Sequence, residues 1–153
     1  MCNSHKIMKC PSSVEGLVEF SAEVFPDKRL KVLYQKTADG ERTTVLLENI
    51  RPLLHENPDN KFMACHELFF PYTIMYCHAT SNVQVYQVDL VDPKTLKTIN
   101  DGSVAVCHRN TSTWSPNHIS MIELGTRPGE GSICHWLTTD AIAFVHLDDT
   151  LAG

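Results

Sequence analysis

The chain has 153 residues, enough for one domain with a buried core, and 42% apolar against 20% charged residues exclude wholesale disorder. A formal charge of −5, with 13 Lys and Arg that form no basic stripe, argues against a nucleic-acid partner. No apolar run approaches the length of a bilayer crossing, and Met1-Cys2-Asn3-Ser4-His5 carries neither a basic nor an apolar leader region, so no membrane role and no export signal are read from this chain.

In chain order, SSVEGLVEFSAEVF comes first, after Cys10-Pro11. Ser12 and Glu15 have capping-box spacing, and Val14, Leu17, Val18 and Phe25 recur at helical intervals, which predicts one helix packed on a core. From residue 30 the signals are those of strands: Leu30 to Tyr34, Thr43 to Ile50, Val83 to Val91, Val104 to His108, Ile119 to Leu124 and Ala141 to His146. Turn chemistry at Ala38-Asp39-Gly40, Asn57-Pro58-Asp59-Asn60, Asp92-Pro93, Asp101-Gly102 and Arg127-Pro128-Gly129 separates them. The expected fold class is α+β, predominantly antiparallel β, with one N-terminal helix, as a single domain over residues 1–153.

The dipeptide Cys-His occurs at Cys65-His66, Cys77-His78, Cys107-His108 and Cys134-His135, far more often than random placement of 6 Cys and 8 His would give. Successive side chains on a strand point to opposite faces, so sulfur and imidazole of one dipeptide cannot easily grip one ion. An even cysteine count without CxxC suits disulfides better than a zinc ribbon. The sequon Asn110-Thr111-Ser112 agrees with the secretory setting that disulfides imply. A hairpin about Phe70-Pro71-Tyr72 with Cys65 opposite Cys77 brings the sulfurs near bonding reach and leaves His66 and His78 as diagonal neighbours on the reverse face. By analogy Cys107 and Cys134 form a second bridge carrying His108 and His135, although nothing local selects that pairing among the three that four cysteines allow. Cys2 and Cys10, close together before the helix, are the expected third bridge.

With sulfur tied up, an all-imidazole site suits Cu(II), Zn(II) or Ni(II), and intrinsic affinity favours copper. His118, in Trp114-Ser-Pro-Asn-His118, is either a fifth ligand or an outer-shell partner. The plain alternative is that these histidines only pack or hydrogen-bond. His146 and the indoles of Trp114 and Trp136 are read as structural, and His5 and His55 sit in polar surroundings.

The spacing of the four dipeptides, with ten, twenty-eight and twenty-five residues between them, resembles the signature of the plant BURP domain. PYTIMYCH is similar to the family's YPYAVYYCH, KCPSSVEGLVEF to its KCATSLESMVDF, and AVCHRNTSTWSPNHISMIELGTRPGEGSICHW to its third-to-fourth repeat region. Three departures stand out: a long middle gap around Asp92-Pro93-Lys94, Phe144 where the family has Trp, and no counterpart in this sequence to the family's usual upstream segment, from which an N-terminally shortened member is expected. The resemblance implies a secreted, apoplastic or endomembrane plant protein with disulfide staples. It implies copper held by His66, His78, His108 and His135, with His118 as a further ligand. It also implies either copper- and dioxygen-dependent crosslinking of Tyr or Trp in a peptide supplied in trans, or a non-catalytic seed, stress-response or cell-wall role. An intracellular zinc protein with reduced cysteines is the remaining reading.

Overall fold

The computed structural model describes residues 8–26, 28–35, 44–54, 61–69 and 73–146. Nine strands and two helices follow in the order β1 (Met8–Lys9), α1 (Val14–Val24), β2 (Leu30–Tyr34), β3 (Leu46–Pro52), β4 (Lys61–Phe69), β5 (Thr73–Ser81), β6 (Val83–Val91), β7 (Thr98–His108), α2 (Ile119–Leu124), β8 (Ile133–Trp136) and β9 (Ala141–His146). One sheet has the strand order β1-β5-β4-β9-β2 and the other β3-β6-β7-β8, and every pairing is antiparallel.

Strand alternation sets the two faces of each sheet. Phe62, Ala64, Ala141, Ala143 and Val145 of the first sheet pack against Val83, Val85, Val104 and Val106 of the second, so the sheets stack face to face over one core. Gln35, just past β2, ties the layers together: its amide donates to Ser103 Oγ at 3.1 Å and accepts from Val104 N at 3.0 Å. The outer face of the first sheet carries the second cluster, in which Phe20, Val24 and Phe25 of the helical segment cover Met63, Cys65, Cys77 and Phe144.

Several sequence expectations are corrected here. Ser13, not Ser12, caps α1, accepting from Gly16 N at 3.2 Å. Val14 and Val18 face solvent, because the buried stripe runs through Leu17, Phe20, Ser21 and Val24. Ile119 to Leu124 is a helix rather than a strand: His118 caps its start, Gly125 at φ +60° closes its end, and only Met121 is buried. The described residues therefore contain two helices. Asp101-Gly102 is a bulge inside β7, not a break; Gly102 adopts φ +77° where the register against β6 shifts, and its N–H donates to Asp89 Oδ1 at 3.0 Å. The expected strand from Thr43 to Ile50 is displaced to Leu46–Pro52, with Thr43 outside the described residues. The turns at Ala38-Asp39-Gly40, Asn57-Pro58-Asp59-Asn60 and Phe70-Pro71-Tyr72 also lie outside them, as do His5 and His55.

Candidate metal centre

Cys65 faces Cys77 directly in the β4–β5 register, and Cys107 faces Cys134 in the β7–β8 register. Both pairs are disulfides, at S–S 2.07 Å. Antiparallel pairing brings directly opposed residues within bonding reach. Cys10 is disulfide-bonded as well, but the expected Cys2–Cys10 bridge lies outside the described residues because Cys2 does.

The histidine after each cysteine points to the opposite face, into the space between the sheets. His66 continues the inner-face series Phe62, Ala64, and His108 continues Val104, Val106. The apolar core thus gives way to imidazole toward one end of the sandwich. His66 opposes Tyr76 and His78 opposes Ala64, the diagonal arrangement on which the two rings meet: Nε2 to Nε2 is 3.3 Å and the rings stack at 5.5 Å between centroids. His108 and His135 repeat this at 3.2 Å and 5.4 Å. All four, with His118, line one open cavity of about 980 Å³.

Burial favours the neutral form of three of these rings, His66, His78 and His108. Burial pushes His78 down to about 4, reinforced by the neighbouring His66 and His135. His108 is likewise lowered to about 4, by burial first and then by His135, His78 and His118. His66 is lowered by burial, an effect opposed by the carboxylate of Asp140. Both pairs line the same cavity, so the two sheets bring them to one cleft. A neutral imidazole offers a lone pair, which is the form a metal needs.

Tautomers follow from the hydrogen bonds. His135 Nδ1–H donates to the Trp136 carbonyl at 2.9 Å, leaving Nε2 with its lone pair toward His108. His118 is different. Its Nδ1 accepts from Ser120 N at 3.2 Å as the α2 cap, so the neutral ring carries its proton on Nε2 and presents a donor. Trp114 stands between the two, with its ring 5.0 Å from His108 and 4.6 Å from His118. His146 ends β9 opposite Leu30, on an edge pairing outside this cavity.

Two imidazole nitrogens bound to one ion at about 2.0 Å each stand about 3.3 Å apart when their angle at the ion is near tetrahedral. The observed 3.2 and 3.3 Å therefore fit shared coordination within each pair. Among the described residues no three of His, Cys, Asp or Glu cluster tightly enough to hold an ion, so the donors come as two pairs. Each pair offers two imidazole nitrogens, a donor type that suits copper, zinc and nickel alike.

Sequence reasoning did not single out Met8, Tyr76 or Asp140. Tyr76 was reachable from alternation, since it lies two residues before His78 on the same face. Met8 and Asp140 reach the site through pairing of β1 with β5 and through the turn into β9, which no local pattern announces.

The BURP domain family model matches residues 1–146. Over 129 residues, 84% of this chain, the sequence is 34% identical to polygalacturonase 1 beta-like protein 2 of Arabidopsis thaliana, covering 20% of that protein. Over the same share of this chain it is 36% identical to BURP domain-containing protein 14 of Oryza sativa subsp. japonica, covering 18% of it. It is 31% identical to the polygalacturonase-1 non-catalytic subunit beta of Solanum lycopersicum, covering 20% of that relative. The chain spans about a fifth of the length of these three relatives.

Proposed function

The chain belongs to the BURP domain family, and on that premise we propose that it is a non-catalytic, copper-binding domain of the plant cell wall, acting as a partner of another wall protein. Relatives named as non-catalytic subunits of polygalacturonase support a partner of that enzyme class. The disulfides support an oxidising, extracellular location, and no helix among the described residues is long and apolar enough to cross a membrane.

One observation carries the metal reading: two pairs of Nε2 atoms at 3.2 and 3.3 Å, lining one cleft. His66, His78, His108 and His135 would hold copper. His118 and Trp114 pack beside them as outer partners, and Asp140 supplies a nearby negative charge. Bound copper would supply a one-electron redox couple. The disulfides lie on the reverse faces, which keeps thiol chemistry out of the cleft and holds each ligand pair in register.

A second reading is oxidative crosslinking of a peptide at Tyr or Trp by dioxygen, favoured by the open, 980 Å³ cavity, which has room for a side chain. The experiment that tests the first reading is metal analysis of the full chain made in an oxidising compartment, with copper titration of wild type and His66→Ala. Copper bound by wild type and weakened in His66→Ala is expected; equal affinity in both would remove His66 from the site. Incubation of the copper-loaded chain with Tyr- and Trp-containing peptides, in air and without it, separates the two readings by mass. An air-dependent loss of two hydrogens from the peptide marks the enzyme.

A further inference from the structure

β1 is a two-residue edge strand whose register places Met8 opposite His78 and Lys9 opposite Cys77. Lys9 belongs to the outer face: its Nζ pairs with Glu23 of α1 and lies 5.6 Å from the Phe20 ring, over the cluster that contains Cys77. Alternation then turns Met8 inward, to the histidine face. The side chains confirm this orientation. Tyr76 hydroxyl donates to Met8 Sδ at 3.0 Å, and Tyr76 is both the register partner of His66 and a ring neighbour of His78, at 5.9 Å. Met8 and Tyr76 line the same cavity as the four paired histidines. Among the described residues lining that cavity, Met8 supplies the only sulfur.

Resting on the copper reading above, we propose that the Met8 thioether is a further donor to the His66–His78 half of the cleft and makes that half selective for the reduced ion, Cu(I). Thioether sulfur is soft and prefers Cu(I), whereas imidazole alone serves Zn(II) and Cu(II) as well. The hydrogen bond from Tyr76 occupies one lone pair of the sulfur, orients the flexible methionine side chain, and leaves the second lone pair for an ion. The hydroxyl therefore positions the sulfur without competing for its whole donor capacity.

The test uses the full, disulfide-intact chain as wild type, Met8→Leu and Tyr76→Phe. X-ray absorption at the copper edge of anaerobically prepared Cu(I)-loaded protein reports whether sulfur is bound, and chelator competition gives affinities for Cu(I), Cu(II) and Zn(II). Copper–sulfur scattering is expected in wild type and its loss in Met8→Leu, a volume-conserving change. Cu(I) affinity should fall about tenfold or more with Cu(II) and Zn(II) unchanged, and a tenfold selective loss lowers the one-electron potential by about 59 mV. Tyr76→Phe should keep the copper–sulfur signal. A nitrogen-only environment for wild-type Cu(I), or equal weakening of all three ions in Met8→Leu, overturns the assignment of Met8 while leaving the histidine site standing. Failure of wild type to bind any of the three ions overturns both.

Discussion

Acidification should destabilise this domain well before its carboxylates are protonated. His78 and His108 are each lowered from 6.5 to about 4, chiefly by burial. In the unfolded chain both rings take up protons through the ordinary histidine range, while the folded cleft resists them until about pH 4. The folded state thus binds fewer protons between these limits, and stability is fully present above about pH 6.5 and lost as the pH falls toward 4. A difference of 2.5 pH units is worth about 3.4 kcal/mol per ring at most. By about pH 5 the simple sum for two rings is about 4 kcal/mol. The cleft is open to solvent and the mutual repulsion of the two imidazoliums counts only once, so about 2 kcal/mol is the expected loss between pH 7 and 5. Glu15, Asp89, Asp92 and Asp140 are all held below their ordinary values, mainly by hydrogen bonds, so their contribution disappears only at lower pH. Urea unfolding of the disulfide-intact, chelator-treated protein at about pH 7, 6 and 5 measures the effect. His78→Gln/His108→Gln should flatten the curve in this window. An unchanged pH dependence in that double variant would refute the reasoning.

Other substitutions probe the scaffold. Cys65→Ala/Cys77→Ala opens a loop of sequence separation 12 and should cost about 3 kcal/mol by loop closure, read as a lower urea midpoint. Gln35→Leu strips Ser103 Oγ and Val104 N of the partner that links the sheets, and a loss of about 1 to 3 kcal/mol is expected in the same measurement. Ser13→Ala should cost about 1 kcal/mol as the loss of a helix cap. Ser12→Ala should cost less than about 0.5 kcal/mol, and the reverse ranking would return the cap to Ser12.

Much of the candidate site was legible because the Cys-His dipeptide fixes parity. Once Cys65 faces Cys77, strand alternation leaves His66 and His78 no choice but the opposite face, and the diagonal offset follows from antiparallel geometry. The strands Leu30–Tyr34, Val83–Val91 and Ala141–His146 were equally plain, being β-branched runs bounded by turn residues. The partner of Cys107 was not, since 27 positions and a helix separate it from Cys134 and only the tertiary path brings β8 beside β7. Ile119 to Leu124 misled because a six-residue apolar run carries too little periodicity, and the deciding groups, His118 and Gly125, lie just outside it. Asp101-Gly102 has the composition of a turn, yet Asp89 across the sheet accepts from the Gly102 N–H and holds the pair within a continuous strand. Of two adjacent serines, the capping-box spacing to Glu15 selected Ser12, one position before the actual cap. Met8 was invisible as a site residue because its neighbour, His78, is seventy positions away in sequence.

The two sulfur bridges differ in one respect that an experimenter can use. Cys65 and Cys77 are fully buried in the cluster covered by α1, whereas Cys134 is exposed and Cys107 half-buried, both bordering an apolar groove that opens to solvent beside Trp136. A small reductant added in graded doses should therefore reach the β7–β8 bond first. The resulting dithiol would accept a maleimide dye on one sheet alone, giving a handle on the outside of the domain while the imidazoles on the inside stay untouched.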